Sequence, residues 1–344
     1  MGNFFIEYRD PMFGILVLFA IIFIISFVNY WWGNYKSKEE KNDIAQFIKR
    51  FEIVSDENAF KKLLKDHTIP IESLVLLAHS YSKSGDFEKA INLYLLALER
   101  TPKRDEKKYI LSELGKTYFK AGFLRRSEDI FLESLRLHPR NEESLKYLSV
   151  TYEKLKEYEK AIEVLDSLEE LGAKVTKQRA YLKALFIIYN HKLTTSEKLK
   201  SLKELLKDAK FLERIYFEFS IQAMEEFEIL EFEKFEHKKM LDLLWHCEDK
   251  RIFLSQSKIV QEVASARGMR DPIESFEYFE LEVIAKLLTL DYKRASLNFE
   301  YICSDCKQSF PVHFYRCPNC QSIDTVLIEP IITKESYEKN LSFQ

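Results

Sequence analysis

Apolar positions in this chain fall into three regimes. Residues 12 to 32 (MFGILVLFAIIFIISFVNYWW) carry no charge, and as a helix rising 1.5 Å per residue they would cover about 31 Å, the depth of a bilayer core. Tyr30, Trp31 and Trp32 gather at one end of that run, where amphipathic rings settle at the headgroup level. From residue 43 to residue 299 the apolar positions recur with a helical period. From Gln308 to Phe314 and from Asp324 to Ile328, β-branched and aromatic residues alternate as in short strands. The pattern predicts an N-terminal transmembrane helix, a long run of helical hairpins and one small sheet near the C-terminus.

The helical run repeats itself. Residues 71 to 104 place Leu74, Leu77, Ala78, Tyr81, Gly85, Phe87, Ala90, Tyr94, Ala97 and Pro102 at the positions of a tetratricopeptide template. A second copy starts 37 residues later with Leu111, Leu114, Gly115, Tyr118, Gly122, Leu124, Phe131 and Pro139, and has Ser127 and Ser134 where alanine is usual. A third, 34 residues on, keeps Leu145, Leu148, Tyr152, Tyr158, Ala161, Leu165 and Leu168, with Lys156 at the turn. No such hairpin buries its apolar face alone, so the copies should stack as an α-solenoid whose concave side holds partner segments. The template puts Lys83, Lys116, Phe119, Lys120, Lys146 and Lys154 on that side. They read either as a grip for an acidic partner or as a solvated helix face. Residues 43 to 69 resemble a degenerate first hairpin capped by Ser55 or Asp56, and the helices of 174 to 299 include one opened by Asp271 and Pro272. The run Met224 to Glu236 reads as a helix with an acidic outer face, and Cys247 as a buried thiol.

Composition narrows the function classes. Only 8 Gly and 8 Pro occur among 344 residues, which suits long helices joined by short connections. The formal net charge of −3 provides no basic field for nucleic acid. No glycine-rich phosphate loop, HExxH or GxSxG motif is present, so no catalytic role is expected. Around the apolar run, Glu7, Arg9 and Asp10 make a poor signal-peptide start, and Lys36, Lys38 and Lys41 follow it. These flanks predict an uncleaved anchor with the bulk of the chain cytoplasmic.

The sharpest motif is YICSDCKQSFPVHFYRCPNC, two CxxC pairs ten residues apart. Cys303, Cys306, Cys317 and Cys320 can present four thiolates to one tetrahedral ion, zinc first, with iron acceptable to the same set. Four thiolates leave no open position for hydrolytic chemistry. A dithiol oxidoreductase would carry one pair ahead of a helix. Residues 300 to 330 hold two basic against four acidic side chains, so phosphate attraction is weak. His313 reads as a surface or stacking residue.

The expected organisation is a short periplasmic segment (1–11), the anchor (12–32), the degenerate hairpin (43–69), three tetratricopeptide copies (71–173), divergent hairpins (174–299), the metal ribbon (300–330) and a tail (331–344). An uncharged N-terminal span, tetratricopeptide copies and CxxC-x10-CxxC in this order resemble the lipopolysaccharide assembly protein B (LapB) family, most closely at 114 to 135, 157 to 172 and 314 to 320. The resemblance implies a mostly α protein with a C-terminal rubredoxin-like β ribbon whose ligands are the four cysteines. It also implies a non-enzymatic adaptor of the bacterial inner membrane that assists the protease FtsH in degrading LpxC and so regulates lipopolysaccharide biosynthesis. Expected partners are therefore FtsH, LpxC and other assembly proteins, with self-association left open. A membrane-tethered iron electron carrier and a generic assembly scaffold are the competing readings. Lys307 departs from the family pattern, standing where glycine is usual, and a turn of positive φ would strain it.

Overall fold

The computed structural model describes residues 18–32, 69–223, 232–271 and 273–334. The chain divides into two compact units, Met1–Ser144 and Leu145–Gln344. Residues 43–68 of the expected hairpin, the tail from 335 and residues 12–17 of the apolar run lie outside the described residues, as do 224–231 of the glutamate-rich run.

The anchor expectation is corrected. Residues 18–32 are helical. Among the described residues no helix is long and apolar enough to cross a membrane. The single-pass inner-membrane placement, with its cytoplasmic orientation, falls with that span.

Among its described residues the first unit holds two helical hairpins, α1 (Ile71–Ser84) with α2 (Phe87–Arg100) and α3 (Arg104–Lys120) with α4 (Leu124–Leu137). Each turn needs one left-handed residue, and glycine adopts that conformation without strain: Gly85 has φ 87° and Gly122 φ 81°. After Gly85, the Asp86 carboxylate accepts from Lys89 N–H at 3.5 Å to cap α2. Leu74, Ala78, Leu93, Tyr94, Ala97 and Leu114, all fully buried, knit α1, α2 and α3 into one core. These are template positions in large part, and their close approach follows from the small residues at Ala78 and Ala97.

The division between units falls in α5 (Glu142–Lys154). The second unit continues with α6 (Tyr158–Glu170), α7 (Thr176–Tyr189), α8 (Thr195–Leu206), α9 (Glu213–Ala223), α10 (Leu241–His246), α11 (Lys258–Ala266) and α12 (Phe279–Thr289). A capping box between Thr194 and Glu197 opens α8. The expected start at Asp271 does not hold for α12, which begins at Phe279. Buried Glu262 of α11 accepts from Glu277 N–H (2.7 Å) and Tyr278 N–H (3.3 Å), so a carboxylate from another helix holds the chain just ahead of α12.

The sheet is larger than the alternation at 308–328 suggested. Its order is β2–β1–β3, all antiparallel, with β1 (Ala295–Cys303), β2 (Ser309–Phe310) and β3 (Val326–Lys334). Residues 295–299, expected as helix, are strand. Leu297, Phe299, Tyr301 and Cys303 are buried on one face of β1, the period of two that a half-buried strand requires. They join Phe217, Leu241, Leu244, Val260, Val263 and Leu281 in a single core, so the ribbon is seated on the helices of its own unit.

Candidate metal centre

Two copies of one tight turn present the cysteines. In the first, Cys303 N–H donates to Gln308 O (2.9 Å) and Lys307 N–H to Cys303 O (2.9 Å); in the second, Cys317 N–H donates to Ser322 O (2.8 Å) and Gln321 N–H to Cys317 O (3.0 Å). Each copy needs a left-handed residue just after its second cysteine, and these are Lys307 (φ 60°) and Gln321 (φ 64°). The strain anticipated at Lys307 is therefore present, and it recurs at Gln321.

The turns bring all four sulfurs within 4.8 Å of one another. Cys303 Sγ lies 3.6 Å from Cys320 Sγ, and Cys306 Sγ 3.6 Å from Cys317 Sγ. Four sulfurs placed tetrahedrally at 2.3 Å from one ion would stand about 3.8 Å apart, whereas a disulfide needs about 2.05 Å. No disulfide joins them. The cluster is thus able to hold one metal ion.

Local electrostatics fit that use. Burial opposes ionisation of Cys303, but the N–H groups of Cys306 and Asp305 and the Thr325 hydroxyl (3.3 Å) bring its thiol down to about 6. Hydrogen bonding from Gln308 N–H lowers Cys306. Burial pushes Cys317 up to about 12. Burial and hydrogen bonding thus act in opposite directions across the cluster, and a bound dication would favour the thiolate form.

The ribbon is held to the helices by buried polar contacts that the cysteine spacing did not reveal. Arg316, next to Cys317, donates from Nε to Glu153 Oε2 (2.8 Å), and its Nη2 lies 2.6 Å from the same oxygen; both side chains are under a tenth exposed. The Arg316 Nη1 donates to Gln321 O (2.9 Å), so one guanidinium joins the second turn to the last turn of α5. Asp242 of α10 accepts from Arg214 at 2.6 and 2.7 Å and from the Tyr301 hydroxyl at 2.8 Å. Against burial, these donors hold the Asp242 carboxyl below the usual range. Asp324 pairs with Lys177 (3.0 Å) and Lys239 (3.1 Å), and Tyr315 donates to Glu218. In the sequence, the one available signal was Arg316 set among aromatic residues in FYRCPNC.

His313 is not part of the sulfur cluster. It stacks edge-on against Tyr301 and Tyr315, with ring centroids 5.5 and 4.9 Å away. Cys247 is buried, and burial raises its thiol. Of the groove candidates, Lys116 is drawn between Glu113 (2.5 Å) and Glu143 (2.7 Å). Lys83 and Lys120 stand exposed at the ends of α1 and α3, and Phe119 is half-buried. Lys146 and Lys154 are exposed residues of the second unit.

A Tetratricopeptide repeat model matches residues 73–109. Over 168 residues the chain is 23% identical to Lipopolysaccharide assembly protein B of Escherichia coli (strain K12), covering 45% of this chain and 43% of that protein. With the repeat, the cysteine cluster and this similarity together, the resemblance stands. The chain is similar to lipopolysaccharide assembly protein B. It spans less than half the length of those curated relatives. A 96-residue stretch is 36% identical to Protein CTR9 homolog of Arabidopsis thaliana, covering 28% of this chain and 9% of that one. A solved tetratricopeptide repeat protein from Parabacteroides merdae aligns with a TM-score of 0.38 at 16% identity, over 65% of this chain and 88% of the other.

Proposed function

We propose that the chain is a protein-binding scaffold whose Cys303, Cys306, Cys317 and Cys320 hold one structural Zn2+. The observation that carries the metal reading is the pair of 3.6 Å sulfur separations within a 4.8 Å cluster. Zinc would supply the charge and the tetrahedral cross-link. The chain's own residues do the rest: two matched turns aim the sulfurs, β1 anchors the first turn, and Arg316 ties the second to α5. Four sulfur ligands leave a closed site, which suits a structural role. Metal analysis with a visible spectrum tests this: a colourless protein with one zinc per chain is expected, and a red, reversibly reducible one would favour iron and electron transfer instead.

The scaffold reading rests on the tetratricopeptide hairpins and on the similarity to lipopolysaccharide assembly protein B. Carried to this chain, that similarity supports a non-enzymatic adaptor that promotes degradation of LpxC by FtsH and so restrains lipopolysaccharide synthesis. The exposed lysines Lys83 and Lys120 of the first unit and, separately, Lys146 and Lys154 of the second then serve as contacts for client proteins. The test is LpxC half-life after depletion of the protein. A several-fold longer half-life is expected, and an unchanged one overturns the assignment to this pathway.

A further inference from the structure

The four cysteines are not equally served by their surroundings. Cys303 and Cys317 are fully buried, whereas Cys320 is exposed and Cys306 half-buried. Water can reach the last two, but a buried thiolate must find its donors within the protein. Cys317 takes backbone N–H groups, those of Cys320 and Asn319. Cys303 likewise takes those of Cys306 and Asp305, and adds a side chain: Thr325 Oγ1 lies 3.3 Å from its sulfur and has no other hydrogen-bond partner among the described residues. The backbone aims that hydroxyl. Ser304 N–H donates to Thr325 O at 2.6 Å, and Cys303 stands opposite Val326 in the β1–β3 register, so Thr325 is tied to the first cysteine turn on either side. Asp324, just before it, is left-handed (φ 59°) and held through its carboxylate by Lys177 and Lys239. The β-branched side chain adds its own restriction at χ1. The Asn319 amide serves Cys306 in a similar way, but it is exposed, and water competes for both partners.

We infer that Thr325 is a positioning residue for the metal: its hydroxyl donates to the Cys303 thiolate, holding that sulfur in place for the ion and drawing charge from it. The inference rests on the metal reading above and deepens it. A cysteine ligand must be a thiolate, and a thiolate can only accept, so the hydroxyl is the donor whenever metal is bound. Hydrogen bonds behind the ligands orient them and tune their donation, and losing one weakens metal binding about 10- to 100-fold. The CxxC spacing carries no sign of this partner, which β3 delivers from beyond the last cysteine.

The test measures Zn2+ affinity of the full chain by competition with a chromophoric chelator under reducing conditions, and loads Co2+ at the same site to read sulfur donation from its charge-transfer band. Thr325→Val keeps the shape and removes the donor. It should weaken Zn2+ binding at least about tenfold and move the Co2+ band to lower energy, because a thiolate without that hydrogen bond gives up charge more readily. Thr325→Ser restores a hydroxyl and should recover most of the affinity and bring the band back toward the parent position. Thr333→Val makes the same chemical change elsewhere on β3, where the hydroxyl donates to Ser296 O at 3.4 Å, and should move neither readout. A Thr325→Val protein that binds Zn2+ as tightly as the parent would overturn the inference and leave the metal centre standing. Lost affinity with the band unmoved would overturn it as well, since Thr325 would then only pack, and so would a Thr325→Ser protein that binds metal no better than Thr325→Val. A parent chain that binds no metal would instead overturn the metal reading itself.

Discussion

At the scale of single residues, one helix-crossing position shows how the repeats tolerate variation. In template register the pair is Ala78 with Ala90 in the first hairpin, Gly115 with Ser127 in the second and Ser149 with Ala161 in the third. Where serine enters, its hydroxyl donates across the crossing: Ser127 to Gly115 O (2.9 Å) and Ser149 to Ala161 O (3.1 Å). The buried hydroxyl is thereby satisfied without widening the gap. Gly115 allows the ring of Phe131 to approach so closely that an added Cβ would lie 2.5 Å from it. Gly115→Ala should therefore cost about 1–3 kcal/mol, read as a lower urea midpoint at unchanged m. The left-handed positions obey a separate rule. Lys156 (φ 62°) stands where Gly85 and Gly122 serve in the other hairpins, and Lys307 repeats the exception in the ribbon. Relief of a left-handed side chain gains about 1–2 kcal/mol, and the greater freedom of glycine in the unfolded chain takes back part of it. Lys307→Gly should thus stabilise the metal-loaded second unit by about 0.5–1 kcal/mol, measured as a higher thermal midpoint.

At the scale of elements, the helices were legible and the contacts between ribbon and helices were not. Template residues such as Ala78, Tyr94 and Gly115 have fixed neighbours, so their spacing alone predicts the hairpins. The strands were read only in part. Leu297, Phe299 and Tyr301 alternate as a strand should, but they directly follow the apolar helix α12, whose period masked the change. Pro311 ends β2 after Phe310, because it has no N–H to extend the ladder. The partnership of Arg316 with Glu153, 163 positions apart, leaves no local trace, and neither does that of Arg214 with Asp242. Removing one member of a buried pair strands the other charge. Arg316→Met should accordingly cost about 3–5 kcal/mol, while Arg316→Met with Glu153→Met should recover most of that, a coupling that a double-mutant cycle in urea measures. His313 makes a second claim on the same seam. Burial first, then the nearby Arg214 charge, bring its imidazole down to about 3. A depressed histidine leaves the unfolded chain binding more protons below about pH 6.5, so its contribution is complete above that pH and is lost as pH falls from about 6.5 toward 3. The slope approaches about 1.4 kcal/mol per pH unit. Between about pH 5.5 and 6.5, His313→Phe should remove most of this slope relative to the parent protein, as read from urea midpoints at each pH.

At the scale of the whole molecule, the sulfur cluster acts on more than its own turns. A ribbon this small cannot bury enough apolar surface to fold unaided, and structural zinc contributes about 10–16 kcal/mol to small zinc peptides. Here β1 delivers Leu297, Phe299 and Tyr301 to the same core as Leu241, Leu244 and Val263. Arg316 and Tyr301 also reach buried carboxylates on α5 and α10. Losing the metal should therefore release the sheet and leave Glu153 and the Arg214–Asp242 pair without their ribbon partners, which loosens the helices around them. The core joining α1, α2 and α3 contains no ribbon residue. Chelation of the full chain under reducing conditions should thus raise amide exchange by orders of magnitude in β1 and β3, and by at least about tenfold in α10, while α1 to α4 exchange at their original rates. Protection lost evenly in both units would show that the metal stabilises the chain as one cooperative block. Protection retained in β1 would show that the helices alone hold the sheet in place, and the structural role assigned to the four cysteines would fail.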